Sequence, residues 1–227
     1  MDTNAITKTI ISKLKHKIFG KSPYGNKKWE MADDNWYNEI HNQNYLLHQD
    51  FMKYLRDKKD VKTILEIGCG TGIYPIKYKN LFVDKKYTGI DFSKSNIEFC
   101  KKRSNFMFIC DDFLKMELTQ RYDLVFSHAV IDHVYEIDEF LRRIAKICKK
   151  YAYINSYRGY FPNLIDHKMN WRDEDGCYYN DVSPRKAQQI LVQAGVKLEE
   201  IIIKKVENGQ INGKKWDETV IEINRPT

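Results

Sequence analysis

The amino-acid sequence predicts an α/β fold, in which a mostly parallel β-sheet is covered by helices on both faces. Between residues 63 and 155, short apolar runs alternate with amphipathic stretches, as strands alternate with helices in such folds. A glycine-rich turn, residues 68–72, directly follows the first apolar run. The turn signals Asn208-Gly209 and Asn212-Gly213 separate the last two runs and are typical of an antiparallel hairpin.

The individual elements follow from hydrophobic periodicity. The seven predicted strands are residues 63–67, 87–90, 106–110, 123–126, 151–155, 198–205 and 218–224. Helices are predicted near residues 35–55, 72–82, 93–103 and 136–149, and after Ser183-Pro184, where a stripe of apolar residues ends at Gly195. The α/β core therefore spans residues 61–227, and residues 1–60 form an N-terminal helical cap within one domain.

Length and composition narrow the class of protein. The chain has 227 residues, of which 42% are hydrophobic and 13% aromatic, enough to bury a core. No apolar run approaches the roughly 20 residues of a membrane span, and we expect no secretory signal. Five widely spaced cysteines without a C-x-x-C motif favour neither a disulfide framework nor a zinc site. These features predict a cytoplasmic protein without a bound metal.

The positive charge is concentrated at the N-terminus. The formal net charge is +7, and residues 1–30 contain seven lysines against Asp2 and Glu30. Residues 6–18 have the pattern of a basic amphipathic helix, which we expect to lie on the protein's own surface; contact with a membrane or an acidic ligand is the alternative. The remainder is nearly neutral, so we expect no specific nucleic-acid partner.

Glycines and acidic residues stand at the predicted strand ends. The stretch Leu65–Gly72 (LEIGCGTG) takes a buried strand through a glycine turn into a helix, whose free N–H groups suit a polar ligand. Asp91 ends the second strand, and its two carboxylate oxygens can accept hydrogen bonds from both hydroxyls of a ribose. Asp111 and Asp112 end the third strand, where a carboxylate can accept from an adenine amino group.

In combination and order, the motifs EIGCGTG, GID, CDDF and YDLVFSHAVIDHV resemble those of class I S-adenosylmethionine-dependent methyltransferases over about residues 60–225. The resemblance implies six parallel strands and one antiparallel strand, with S-adenosylmethionine as cofactor. It also implies a set of cofactor-binding residues. These are Glu66, Gly68, Cys69, Gly70 and Gly72 at the turn, Asp91 and Phe92, Asp111, Asp112 and Phe113, Ser127 and His128, and Tyr37 from the cap.

Residues of the loop after the fourth strand are candidates for proton transfer. A hydroxyl or amine acceptor must lose a proton when it is methylated, and a base that titrates near neutral pH assists. His133 is the first candidate and Asp132 the second. The alternative for His133 is a structural role, in which it hydrogen-bonds the backbone and shapes the loop.

The acceptor pocket is predicted to come from the cap and from residues 156–183, a long stretch without clear periodicity. Candidate substrate residues are Tyr24, Arg158, Tyr160, His167 and Trp171. Arginines and tyrosines suit a polar, phosphorylated or sugar-like acceptor.

The sequence thus predicts methyl transfer to a small polar acceptor, at a hydroxyl of a sugar, nucleotide or phosphorylated metabolite, by a monomer or homodimer. Alternatives are a methyltransferase that acts on RNA or at a membrane, and a non-catalytic nucleotide-binding regulator. Over residues 28–32 and 36–41 the chain is also faintly similar to methyltransferases of bacterial surface-polysaccharide gene clusters.

Overall fold

The computed structural model describes Tyr24, Asn38, His41, Asn42 and residues 46–211 and 214–225. The helix predicted over residues 6–18, Tyr37, and the turn Asn212-Gly213 lie outside the described residues. The helices are α1 (Leu46–Asp57), α2 (Ile73–Lys77), α3 (Lys94–Arg103), α4 (Ile137–Ile147) and α5 (Pro184–Gln193). The strands are β1 (Thr63–Ile67), β2 (Lys86–Asp91), β3 (Met107–Cys110), β4 (Tyr122–His128), β5 (Cys148–Ser156), β6 (Trp171–Arg172), β7 (Cys177–Tyr178), β8 (Ile201–Ile211) and β9 (Lys214–Asn224).

Seven of the strands form one sheet in the order β3-β2-β1-β4-β5-β9-β8. Neighbours from β3 to β5 pair in parallel, and β9 pairs antiparallel with both β5 and β8. Six strands therefore run in one direction and β9 runs against them, which confirms the predicted architecture. The carboxyl ends of β1 to β5 lie along one edge of the sheet, hereafter the carboxyl edge.

Both ends of helix α5 have the residues that typically begin and end a helix. The Ser183 hydroxyl accepts from Lys186 N at the start of α5, Pro184 occupies the first turn, and Gly195 follows its end with φ +87°. Helix α4 buries the apolar stripe Phe140, Leu141 and Ile144 against one face of the sheet. On the other face, α1 contributes Phe51 and Leu55 to a second core.

The last two strands differ in detail from the prediction. Residues 198–200 form a short 3₁₀ turn, so β8 begins at Ile201 rather than at residue 198. Asn208-Gly209 lies inside β8, where the pairing with β9 shifts between Glu207 and Gln210. Because pairing continues on both sides, this dipeptide is accommodated as an irregularity in the strand rather than as the predicted turn.

The segment 157–183 contains more order than its sequence indicates. Strands β6 and β7 form a small antiparallel ribbon, and Lys168 forms an isolated bridge with Asp181. Asn180 fastens this segment to the loop after β4: its N–H donates to Asp132 O at 2.7 Å, and its Nδ2 donates to Ile131 O and Val134 O. The segment therefore packs beside the carboxyl edge.

Candidate functional site

The glycine turn 68–72 connects β1 to α2 with positive φ angles at all three glycines. At Gly68 a Cβ would overlap the Val130 side chain, so glycine is needed for packing there. At Gly70, with φ +51°, a Cβ would meet no atom of the described residues within 4 Å. The backbone of Gly70 thus borders open space at the carboxyl edge, where a ligand can approach closely.

Asp91 holds the glycine turn in place. One carboxylate oxygen accepts from Gly70 N at 2.8 Å, and the other accepts from Ser93 N at 2.8 Å and from Asn96 Nδ2 at 3.4 Å. Burial raises the pKa of Asp91 and these N–H donors oppose that effect. Asp91 therefore links the ends of β1 and β2 and stands where the sequence predicts ribose recognition.

Glu66 and the cysteines of the turn lie beneath this surface. Glu66 is buried and accepts a short hydrogen bond from the Tyr87 hydroxyl, and burial raises its pKa. Cys69 is buried near Cys100, whose Sγ donates to Gly70 O at 3.3 Å. Both predicted residues support the turn from below.

The end of β3 brings Asp112 close to the end of β2. The Asp112 carboxylate accepts from Tyr24 Oη at 2.6 Å, Tyr135 Oη at 2.9 Å and Leu114 N at 3.0 Å. The Tyr24 ring stacks on Phe92 with centroids 4.6 Å apart and an interplanar angle of 11°. Tyr24, predicted on the acceptor side, thus contacts two predicted cofactor residues. The other two residues predicted to bind the cofactor at this strand end differ in exposure: Asp111 is exposed, and Phe113 is buried against Phe140.

The end of β4 places unpartnered polar atoms at the carboxyl edge. Neither Ser127 Oγ nor the two ring nitrogens of His128 have a hydrogen-bond partner among the described residues, and all three atoms are buried. The next residue, Ala129, has φ +55°, a left-handed conformation that is rare for residues other than glycine. Such strain is frequent at functional sites, and here it lies directly after the end of β4.

Aromatic rings enclose His128. Its imidazole lies 5.0 Å from the Tyr74 ring, 5.5 Å from Phe51 and 5.6 Å from Tyr153, centroid to centroid. Burial lowers the pKa of His128 well below its usual range, so the ring is neutral at pH 7. The buried Tyr74 hydroxyl also lacks a hydrogen-bond partner within the described part of the chain.

His133 is held by the segment 157–183. Its Nδ1 lies 2.6 Å from Tyr178 O, which can only accept, so Nδ1 carries the proton. Its Nε2 lies 3.3 Å from the Tyr157 hydroxyl, which then donates to it. Both ring nitrogens therefore have protein partners.

Asp132 is fully buried beside His133. Its carboxylate accepts from Ser156 Oγ at 2.6 Å and from the backbone N–H groups of Tyr157 and Arg158. Burial raises the pKa of Asp132 to about 7, against the effect of these donors. This carboxyl group therefore titrates near neutral pH.

The predicted substrate residues of segment 157–183 do not converge on one point. The Arg158 guanidinium lies 3.5 Å from Asp181 Oδ1 and over the Tyr179 ring. His167 Nδ1 accepts from Ser183 N at the start of α5. Trp171 donates to Asp173 on the ribbon, and Tyr160 is half-buried. Within the described part of the chain, Arg158 is the member of this set that contacts a predicted catalytic residue, through its backbone N–H to Asp132.

Sequence reasoning missed Tyr74, Asn155 and Glu218. Asn155 pairs in register with His128, and its Nδ2 donates to the buried carboxylate of Glu218 at 2.7 Å while its Oδ1 has no partner among the described residues. The position of Asn155 at a strand end was the available signal. No sequence signal identifies Glu218, because it reaches the site only when β9 inserts beside β5.

Comparison with known proteins decides the family. Residues 58–195 match the family model described as a methyltransferase domain. The chain belongs to this methyltransferase family. The sequence-based identification as a methyltransferase is thereby confirmed, whereas the similarity to surface-polysaccharide enzymes stays a prediction.

Individual relatives agree on the class of protein. The chain is 36% identical over 84 residues to malonyl-[acyl-carrier protein] O-methyltransferase from Bacillus anthracis, covering 36% of this chain and 31% of that protein. It is 33% identical over 132 residues to pavine N-methyltransferase from Thalictrum flavum, covering 56% and 37% respectively. The matched part thus spans about a third of these curated methyltransferases.

A solved structure extends the likeness to nearly the whole chain. The N-methyltransferase NodS from Bradyrhizobium japonicum, crystallised with S-adenosyl-L-homocysteine, has a TM-score of 0.56 and 16% identity, over 91% of this chain and all of NodS. At this identity the match shows the fold, which is that of class I methyltransferases.

The geometry of this methyltransferase fits the cofactor that the motifs imply. Within the described residues, no atom lies within 4 Å of a Cβ placed at Gly70, the Asp91 carboxylate accepts from Gly70 N, and buried Thr71 Oγ1 and Ser127 Oγ lack partners. The described residues contain no group of three or more histidine, cysteine or acidic side chains arranged to hold a metal ion. In the same part of the chain, no helix combines the length and apolar character that crossing a membrane requires.

Proposed function

We propose that the chain binds S-adenosylmethionine at the carboxyl edge and transfers the methyl group to a hydroxyl of a small polar metabolite, such as a sugar or nucleotide. The observation that supports this most is the set of buried polar atoms without partners in the described structure: Ser127 Oγ, both nitrogens of His128, Tyr74 Oη and Asn155 Oδ1. Each such atom costs about 1–3 kcal/mol, and a polar ligand that supplies its hydrogen bonds removes that cost.

The positions of these atoms divide the site into two halves. Gly70, Asp91 and Ser127 lie at the ends of β1, β2 and β4, where the motifs imply cofactor binding. His128 and Asn155 lie in register at the ends of β4 and β5, and the side chain of His128 is enclosed by the α1 and α2 aromatic residues. We assign this second half to the acceptor.

The protein's part in the reaction is alignment and proton transfer. The bound cofactor supplies a methyl group that its sulfonium already activates, so the site mainly orients the acceptor and excludes water. We favour His128 as the group that receives the acceptor proton, because both of its ring nitrogens lack partners among the described residues, whereas both carboxylate oxygens of Asp132 already accept hydrogen bonds. His133, whose nitrogens are both engaged, then acts as a positioning residue, and Asp132 is the second candidate base.

Within this acceptor class, the charges around segment 157–183 favour a neutral sugar over a nucleotide or another phosphorylated metabolite. Arg158 pairs with Asp181, and Arg172 lies 4.2 Å from the centroid of the Tyr179 ring. A phosphate would have to compete with Asp181 for Arg158, whereas a sugar hydroxyl needs no cation. The second candidate acceptor is a carboxyl group on an acyl carrier protein, which the malonyl-[acyl-carrier protein] relatives suggest.

The proposal is tested by calorimetry with S-adenosylhomocysteine, followed by transfer of labelled methyl groups to three acceptor classes: sugars and nucleotides, small amines, and malonyl-carrier protein. Binding together with transfer to the first class supports the proposal. Transfer only to amines or only to the carrier protein replaces the acceptor class. Tight binding without transfer to any class favours the regulator, and binding to RNA that weakens steeply with salt favours the macromolecular alternative.

A further inference from the structure

Tyr24 makes a set of contacts that a nucleoside base would make. Its ring lies flat on Phe92, which follows the predicted ribose-binding residue Asp91, with ring centroids 4.6 Å apart. Its hydroxyl donates to Asp112 Oδ1 at 2.6 Å. An adenine ring stacks in the same way, and its amino group donates a hydrogen bond to a carboxylate as the tyrosine hydroxyl does here.

These contacts leave no room for a second ring at the same place. Two rings at 4.6 Å and 11° are in direct contact, so no third ring fits between them. The Tyr24 side chain is 6% exposed, and the ring of Tyr135 closes it from the side at 5.0 Å. The position is therefore filled and closed in the structure.

The acceptor capacity of Asp112 is also used. Oδ1 accepts from Tyr24 and from Leu114 N, and Oδ2 accepts from Tyr135 and lies 3.4 Å from Lys115 Nζ. Both oxygens are therefore saturated while Tyr24 is in place. An amino group of a ligand can take the Oδ1 position only after the tyrosine hydroxyl has left it.

We propose that Tyr24 occupies the adenine position in the free protein and has to be displaced when S-adenosylmethionine or S-adenosylhomocysteine binds. The inference rests on the proposed function and on the prediction that Phe92 and Asp112 belong to the cofactor site, where Asp111 or Asp112 accepts from the adenine amino group. When a residue of the chain itself occupies the site, the apparent Kd equals the intrinsic Kd divided by the fraction of molecules in which the site is open. Tyr24 thus sets the cofactor concentration at which the protein becomes loaded.

The test measures S-adenosylhomocysteine binding to the full chain, by calorimetry and by stopped-flow fluorescence. Tyr24→Ala should lower Kd at least threefold, and Tyr24→Phe, which keeps the stacked ring but loses the hydroxyl, should lie between it and the wild type. In the wild type the observed binding rate should level off at high ligand concentration, because displacement of Tyr24 becomes limiting. In Tyr24→Ala it should rise linearly with concentration.

Tyr54→Ala is the control, since Tyr54 is buried to a similar degree, 8% against 6% exposed, and its hydroxyl lies 3.3 Å from Asn224 Oδ1 at the opposite edge of the sheet. Its S-adenosylhomocysteine affinity should equal that of the wild type. Unchanged or weaker binding by both Tyr24 variants overturns the inference and leaves the proposed function intact, because Tyr24 would then be a stacking platform or a bystander. Absence of binding by the wild type and by Tyr24→Ala overturns the proposed function and the inference together.

Discussion

At the scale of single residues, two buried carboxylates can be compared, because one lies at the predicted cofactor site and the other at the opposite edge of the sheet. Asp91, the predicted ribose-binding residue, is buried and holds the glycine turn by accepting from Gly70 N and Ser93 N. Asp123, at the start of β4, accepts from Lys62 N and Thr63 N at the opposite edge of the sheet. Both carboxylates accept from two backbone N–H groups. Variants of the two residues can therefore distinguish the predicted ribose binding of Asp91 from structural support.

This contrast gives a prediction for the cofactor site. Asp91→Asn should weaken S-adenosylhomocysteine binding by about 2 kcal/mol, roughly 30-fold in Kd, because the charge-assisted hydrogen bonds to the ribose hydroxyls are weakened. Asp123→Asn should lower the free energy of unfolding but leave Kd unchanged. Calorimetry measures the Kd for S-adenosylhomocysteine in both variants. Equal affinities would show that Asp91 does not belong to the ribose site.

Asp132 gives a pH-dependent prediction. Its pKa is about 7 in the folded chain against about 3.9 when unfolded. Below pH 4 the carboxyl is protonated in both states; between pH 4 and 7 only the unfolded chain ionises, so stability falls as pH rises. The free energy of unfolding of the wild type, relative to Asp132→Asn, should therefore fall by about 4 kcal/mol across this window.

Urea denaturation of both proteins at several pH values measures this difference. Asp123→Asn is again the control: burial raises the pKa of Asp123, but the N–H donors outweigh it and the net shift is downward. The wild type relative to Asp123→Asn should therefore show no fall between pH 4 and 7. A flat difference for Asp132→Asn would mean that Asp132 is ionised throughout.

At the scale of elements, the loop after β4 and the segment 157–183 depend on each other. His133 Nδ1 donates to Tyr178 O, and Asn180 N donates to Asp132 O, so the ribbon β6–β7 is fastened at its base. His133→Ala removes one of these two hydrogen bonds and leaves the Tyr178 carbonyl without its side-chain donor. We expect amide hydrogen exchange across residues 168–181 to accelerate by about tenfold, while exchange in β1 to β3 stays unchanged.

Mass spectrometry of the exchanged peptides measures this effect. Glu174→Ala, a change at an exposed position of the ribbon, is the matched control and should leave exchange across residues 168–181 as in the wild type. Faster exchange in both variants would show that the ribbon is loosely held irrespective of His133. Unchanged exchange in His133→Ala would show that the other contacts of the segment, including those of Asn180, are sufficient to hold it.

The same elements show what sequence could predict and what it could not. Asp91 and Ser127 were predicted to lie at the carboxyl edge because short apolar runs mark where strands end, and parallel strands end at one edge. The antiparallel pairing of β8 with β9 was predicted from the turn signals between them, whereas the count of six parallel strands and one antiparallel strand came from the family resemblance. The contact of Tyr24 with Phe92 and that of Asn155 with Glu218 join residues 68 and 63 positions apart, and local periodicity carries no information at such distances.

At the scale of the whole molecule, the candidate site draws on β1, β2, β4 and β5 together, so a ligand at the carboxyl edge contacts elements that separate only when the fold is lost. A ligand that binds only the folded state stabilises it by about 2.7 kcal/mol at 100 times its Kd. In a chain of this size that corresponds to a rise in Tm of several degrees. The size of this shift reports occupancy of the whole site and requires no knowledge of the acceptor.

Two glycines allow this coupling to be tested with matched backbone strain. Gly70 (φ +51°) and Gly195 (φ +87°) both have left-handed backbone conformations, and a Cβ at either would meet no atom of the described residues within 4 Å. Gly70 borders the candidate cofactor site, whereas Gly195 follows α5 at the opposite edge of the sheet. Valine at either position should lower the Tm of the free protein, because a branched side chain is strained at positive φ. Calorimetric scans should then show the several-degree rise with S-adenosylhomocysteine in Gly195→Val and its loss in Gly70→Val, where the side chain fills the ligand's space. A full rise in Gly70→Val would place the cofactor elsewhere on the sheet.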